Sequence, residues 1–141
     1  MTIEVVPVLV AGIAATAVGI IWYVVFAGLL QRIRPLSAAE EQQGQRQMRV
    51  AFVVGLLLTL LMAVVLFHFV TISDAYSANA IVNGFITALL AYLGFVLPVQ
   101  ATHILFGNYG EFETKFKLLG INTGGQLLSL LTMGVVIGIS M

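Results

Sequence analysis

The twelve charged side chains of this 141-residue chain are spaced so that four long stretches contain no Asp, Glu, Lys or Arg. The first, between Glu4 and Arg32, holds 27 residues, and the second, between Arg49 and Asp74, holds 24. The third, between Asp74 and Glu111, holds 36, and the fourth, after Lys117, holds 24. A helix needs roughly 20 apolar residues to cross a bilayer, so each stretch is long enough for a span. Hydrophobic types make up 60% of the chain. A soluble fold of this size does not bury that much apolar surface. A cytosolic enzyme, a nucleic-acid binder and a disordered regulator are thereby excluded. The net charge of zero implies no polyanionic partner. The absence of cysteine removes disulfides, thiolate metal sites and iron–sulfur clusters.

The expected fold is all-α: a polytopic membrane protein with four transmembrane helices in one bundle and one domain over residues 1–141. The spans are expected at about 5–30, 50–71, 78–104 and 118–141, with loops at about 31–49 and 105–117. Met1-Thr2-Ile3-Glu4 lacks a positive n-region, and the apolar run behind it is too long for a cleaved signal, so the first segment is expected to be a retained span. Arg32, Arg34, Arg46 and Arg49 lie in the first loop, and Lys115 and Lys117 in the loop before the last span. The other side carries only Glu4 and Asp74. The positive-inside rule then places both loops in the cytoplasm and both termini outside, in a multi-pass inner-membrane protein. Within the first loop, Ser37 followed by Glu40 is a capping-box pattern. It marks either a short interfacial helix from about Ala38 to Met48 or a solvated linker. Pro98 lies inside the third span and is expected to kink it. Gln100, Thr102 and Asn122 are the candidates to satisfy the carbonyl it frees.

Membrane helices associate through small residues and interhelical hydrogen bonds. Ala11, Ala15 and Gly19 form such a stripe in span one, Gly55, Thr59 and Ala63 in span two, and Ala80, Gly84 and Ala88 in span three. Span four carries Gly120, Gly124, Gly134 and Gly138.

No ionisable carboxylate or cation sits at mid-membrane depth, where ion-coupled transporters keep one. The remaining polar groups are two histidines and several amides. His68 and His103 lie near opposite faces and cannot share a metal. His68, set between aromatic residues, is the candidate axial ligand of a haem or chlorin; otherwise no cofactor and no metal is indicated. Asn79 and Asn83 are one turn apart, as are Asn122 and Gln126, with Ser129 three residues further on. With Gln100 these residues form either a polar pocket or conduit, or a set of interhelical hydrogen bonds. Tyr92 is expected nearer mid-depth, where its hydroxyl needs a partner. Tyr76 and Tyr109 are expected in the interfacial belts. There is no nucleophile elbow, HExxH or phosphate loop, so no enzyme activity is expected.

Some of these stretches also carry a resemblance. Trp22-Tyr23 with Phe26 and Gly28 forms the first matching stretch. Leu93-Gly94-Phe95-Val96-Leu97-Pro98 with Leu105-Phe106 forms the second, followed by Ile121-Asn122-x-Gly124 and Leu127 to Gly134. The sequence resembles the uncharacterised bacterial four-helix membrane proteins called domain of unknown function 1761. Val24 and Val25 depart from the family pattern, which has Ser-Pro there, and the loop Gly107 to Glu113 is longer and more acidic. The resemblance implies a bacterial inner-membrane location and four helices, and marks Trp22, Gly94, Pro98 and Asn122 for testing. It brings no activity or cofactor.

Three functions are compatible with these residues. The leading expectation is a structural or accessory bundle that packs with itself, as a homo-oligomer, or with a larger membrane complex. The second is an oligomeric transporter or channel for a neutral or lipophilic solute. The third is a pigment-binding subunit using His68.

Overall fold

The computed structural model describes residues 5–73 and 79–141, all of it helix and short connection. The helices are α1 (Val5–Ile33), α2 (Ala38–Ile72), α3 (Ala80–Ala91), a π-helical turn (Tyr92–Val96), α4 (Leu97–Phe106) and α5 (Phe112–Ser140). The chain therefore forms four helices long and apolar enough to cross a membrane, because α3, the π turn and α4 run on as one segment from Ala80 to Phe106. Glu4, Asp74 and Tyr76, expected beside or between the spans, lie outside the described residues.

Local chemistry sets the helix starts. The Ser37 hydroxyl accepts from the Glu40 amide at 3.3 Å, while the Glu40 carboxylate accepts from the Ser37 amide and hydroxyl at 2.9 Å. This is a reciprocal capping box. The helix it opens does not stop near Met48. It continues without a break to Ile72, so the expected interfacial helix is instead the polar first third of α2. No Pro or Gly-rich turn separates the two parts, and Gln, Met and Arg are good helix formers. At the other end of the bundle, the Asn79 side chain accepts from the Ile81 and Val82 amides and caps α3.

The α-helical ladder shifts just ahead of Pro98. That proline has no N–H to offer the Gly94 carbonyl. The Leu97 amide instead reaches back five residues to Tyr92. The chain absorbs the missing donor by widening one turn, a common place for a π-bulge. The polar neighbours are not recruited. Among the described residues Gln100 and Thr102 make no side-chain hydrogen bond, and Asn122 accepts its bond from Tyr23.

α5 is the most buried span and contacts every other helix. The closest crossing is between α3 and α5. A Cβ built on Gly84 would overlap the Gly134 carbonyl, and one on Gly138 would lie 2.7 Å from the Ile81 Cα. These backbones touch because no side chain stands between them. α1 packs on α5 through Ala11 and Ala15, which are fully buried, and the Ser129 hydroxyl donates to the Ala15 carbonyl at 3.1 Å. Gly12 faces Leu60 of α2. In α2 the expected stripe is used only at Ala63, which is buried, whereas Gly55 faces open space. Gly120 is also open. From Ala38 to Leu58 every residue of α2 except Leu56 is exposed. Tyr92 is buried in the core, but its hydroxyl makes no hydrogen bond among the described residues.

Candidate functional site

The basic residues Arg32, Arg34, Lys115 and Lys117 lie at one end of the bundle, the end reached by α1, α4 and the start of α5. A polar cavity of about 360 Å³ opens there. Its walls are Tyr23 and Arg34 from α1 and its exit, Gln100, His103 and Ile104 from α4, Tyr109 from the following loop, and Leu118, Asn122 and Gln126 from α5. The spacing explains the convergence. Leu118, Asn122 and Gln126 succeed one another at intervals of four on one helix face, and Gln100, His103 and Ile104 share a face of α4.

Trp22 sets the register of the α1 wall. Its indole N–H donates to the Ile121 carbonyl at 2.8 Å. Its ring lies on Gly124 and Gly125, where an added Cβ would come within 2.8 and 2.7 Å of it. Phe26 packs against the same indole, with centroids 4.4 Å apart. With Trp22 fixed opposite Ile121, the next pair along is Tyr23 and Asn122. The Tyr23 hydroxyl donates to Asn122 Oδ1 at 3.4 Å, a long bond. Gln126 makes no side-chain hydrogen bond, and its Oε1 is fully buried. Gln100 also keeps its carboxamide free.

At the mouth, the Tyr109 hydroxyl is 3.0 Å from His103 Nε2. Arg34 lies over the Tyr109 ring, 5.5 Å from its centroid, within the range of a cation–π contact. This contact joins the end of α1 to the loop between α4 and α5. Arg34 also approaches Glu40 at 4.0 Å, with both side chains half exposed. The Ser37 amide and hydroxyl, and then Arg34, hold the Glu40 carboxyl below its ordinary value. No Asp or Glu lines the cavity, so Arg34 is its one formal charge. α1 and α4 both pack on α5 while their backbones stay apart, and residues of all three line the cavity.

The structure thus brings Gln100, Asn122 and Gln126 together and leaves the other polar candidates elsewhere. Asn83 lies at the opposite end, where its Nδ2 donates to the Val70 carbonyl at 3.2 Å and its Oδ1 is buried without a partner. Beside it the Ser73 and Thr87 hydroxyls are 2.9 Å apart. Ser129 is consumed by its bond to α1. His68 bonds its own helix, Nδ1 to the Val64 carbonyl at 2.8 Å, and lines neither cavity described here. Among the described residues no group of three His, Asp or Glu side chains gathers to hold a metal. Tyr23, Arg34, His103 and Tyr109 were not expected as members of one pocket. Arg34 and Tyr109 are read from the sequence as interfacial residues, and only the fold brings them over the same opening.

A second, apolar groove of about 380 Å³ runs beside the π turn, between α2 residues such as Met62 and Phe69 and the turn residues Phe95 and Val96. Its walls carry no donor or acceptor side chain. A family model described as protein of unknown function (DUF1761) matches residues 6–138. No curated protein and no solved structure matches the chain.

Proposed function

The chain belongs to the DUF1761 family, and from that footing we propose that it is a non-enzymatic inner-membrane protein that binds a small lipophilic or polar-headed solute at the cytoplasmic end of its bundle. The observation that carries this reading is the free Gln126 carboxamide, with its Oε1 buried in a cavity shared with Gln100 and Asn122. A buried polar atom without a partner costs about 1–3 kcal/mol. A bound solute that donates a hydrogen bond recovers that cost, which side chains used only for packing do not require. Gln126 lies one turn from Ser129, which does bond across to α1, so a purely structural amide had a solution close at hand.

Transport or presentation of the solute is the role proposed for a cavity at this end of the bundle, opposite the start of α1 and the end of α5. Native mass spectrometry of protein released from mild detergent tests the binding reading. The wild type is expected to carry one bound molecule per chain, and Gln126→Leu is expected to lose it while Trp22 fluorescence stays unchanged. A bare wild-type particle in every detergent and lipid tried sinks the proposal.

One observation favours the accessory role as a second reading. The first twenty or so residues of α2 are uncovered by the rest of the chain, and they include the all-round apolar stretch Val50 to Leu58. A second copy or a larger complex packed there gives an oligomeric particle on blue-native electrophoresis. A strictly monomeric particle with no co-purifying chain counts against it.

A further inference from the structure

The basic-end cavity has features that narrow its ligand beyond a polar-headed solute. We propose that it takes the headgroup of an anionic phospholipid bearing free hydroxyls, entering sideways from the bilayer between α1 and α4. This rests on the binding reading above.

Charge gives the first constraint. Arg34 is the one formal charge on the wall; its neighbour Glu40, 4.0 Å away and half exposed, stands outside the lining, where solvent weakens its hold on the guanidinium. The mouth therefore favours an anion, and guanidinium is well matched to phosphate. Hydrogen bonding gives the second. Gln126 Oε1 is a buried acceptor with no donor, and Asn122 Oδ1 has only the long bond from Tyr23. A carboxylate, or a phosphodiester without hydroxyls, brings acceptors alone and leaves Gln126 Oε1 unsatisfied. A phosphocholine headgroup carries no donor for Gln126 Oε1 and no net charge for Arg34. A phosphodiester carrying a polyol satisfies both ends: phosphate oxygens toward Arg34, hydroxyl donors toward Gln126 and Asn122. The carboxamide N–H groups of Gln100 and Gln126 are free to donate to the hydroxyl oxygens.

Access gives the third constraint. Arg34 over Tyr109 bridges the end of α1 and the loop after α4, which partly closes the cavity toward water. The α1 and α4 backbones do not come close to each other, and the proposed entrance is the gap between them on the side toward lipid. A headgroup fits through that gap while its acyl chains stay along exposed apolar residues such as Val24 and Val99. The cavity volume of about 360 Å³ falls in the ordinary range of small-ligand sites, roughly 300–1,000 Å³.

Native mass spectrometry with lipids of identical acyl chains tests this. Phosphatidylglycerol is compared with phosphatidylcholine, which lacks the net charge, and with phosphatidylmethanol, which keeps the charge and lacks the hydroxyls. The wild type is expected to retain phosphatidylglycerol about tenfold over phosphatidylcholine and several-fold over phosphatidylmethanol. Phosphatidylcholine lacks the hydroxyls as well as the charge, so Arg34→Gln is expected to shrink the first preference to the size of the second and to leave the second unchanged. Gln126→Leu is expected to abolish the second preference and to leave only the charge part of the first, with Trp22 emission reporting an intact bundle in both. Equal retention of the three lipids overturns the proposal, as do preferences of unchanged size in both variants. Displacement of phosphatidylglycerol by equimolar glycerol phosphate also overturns it, because the cavity then opens to water. A different molecule retained by the wild type and lost in Gln126→Leu defeats the phospholipid assignment and leaves the binding reading standing. A bare wild type in all lipids defeats both.

Discussion

Gly84→Ala isolates the closest contact in the bundle. The new methyl group would overlap the Gly134 carbonyl oxygen and lie 2.9 Å from its carbon. Both are backbone atoms on a helix, so no rotamer change relieves the clash. Carbon atoms prefer separations of about 3.5–4.0 Å, so α3 and α5 must part by on the order of 1 Å, which forfeits roughly a quarter to a half of each dispersion contact. Beside the crossing Ala88 of α3 is buried in one apolar cluster with Met133 and Ile137 of α5. Taking about 40 atom pairs at ~0.15 kcal/mol each, as for one buried leucine, and losing a third gives about 2 kcal/mol. This lies within the roughly 1–3 kcal/mol typical of overpacking. The higher helix propensity of alanine offsets little, because membrane helices stay helical when they separate. Unfolding in mixed micelles by titration with SDS, followed through Trp22, the only tryptophan, measures the effect. Gly94→Ala and Gly55→Ala are the controls, since nothing lies within 4 Å of either added methyl; each is expected to change stability by less than about 0.5 kcal/mol. Gly84→Ala combined with Gly134→Ala is expected to cost less than the two separately, because one displacement relieves both. If Gly84→Ala is as mild as Gly94→Ala, the direct backbone contact between α3 and α5 is wrong.

Trp22→Phe removes the N–H donor to Ile121 and part of the ring that covers Gly124 and Gly125; a loss of roughly 1–3 kcal/mol is expected, measured by thermal melts followed by circular dichroism. Ser37→Ala removes the side-chain half of the capping box and is expected to fray the start of α2 by about 1 kcal/mol, seen as faster hydrogen exchange at the Glu40 and Glu41 amides with no change in the bundle. The Glu40 carboxyl is held low by the Ser37 amide and hydroxyl and by Arg34. A lowered value in the folded state means that its capping contribution is complete above the ordinary carboxylate range and is lost as pH falls through the lowered value. The carboxyl shift of Glu40 by NMR is therefore expected to titrate below that range, and Ser37→Ala to move the midpoint back up; an ordinary midpoint in the wild type refutes the cap.

Much of the architecture was legible from the charge gaps alone. A stretch with no ionisable group and at least 24 residues has few ways to exist other than as a span. The Gly84, Gly134 and Gly138 contact was legible for a similar reason, since small residues at spacing four mark a face where backbones meet. Within one chain the rule is not used at Gly55 or Gly120, which face open space, because a small residue permits a close approach without requiring one. The helical extension of α2 through Arg46 and Arg49 was obscured by polarity: charge marks where a span leaves lipid and is silent on where a helix starts. Among the polar candidates, the i, i+4 pairing placed Asn122 and Gln126 on one face. It placed Asn79 and Asn83 on one face equally well, yet Asn79 caps a helix and Asn83 bonds α2.

The sequence by itself determined that the chain makes four membrane-crossing helices, because the cost of placing charge in hydrocarbon acts on each segment separately. It also determined which residue types were available for a polar site. Which of them share a cavity was decided by tertiary structure. The register of Trp22 on Ile121 brings Tyr23 to Asn122. The separate docking of α1 and α4 on α5 leaves the space between them, and the reach of Arg34 over Tyr109 covers its end. Each is a relation between helices distant in the chain, fixed by how side chains interlock, and no property of a single segment contains it.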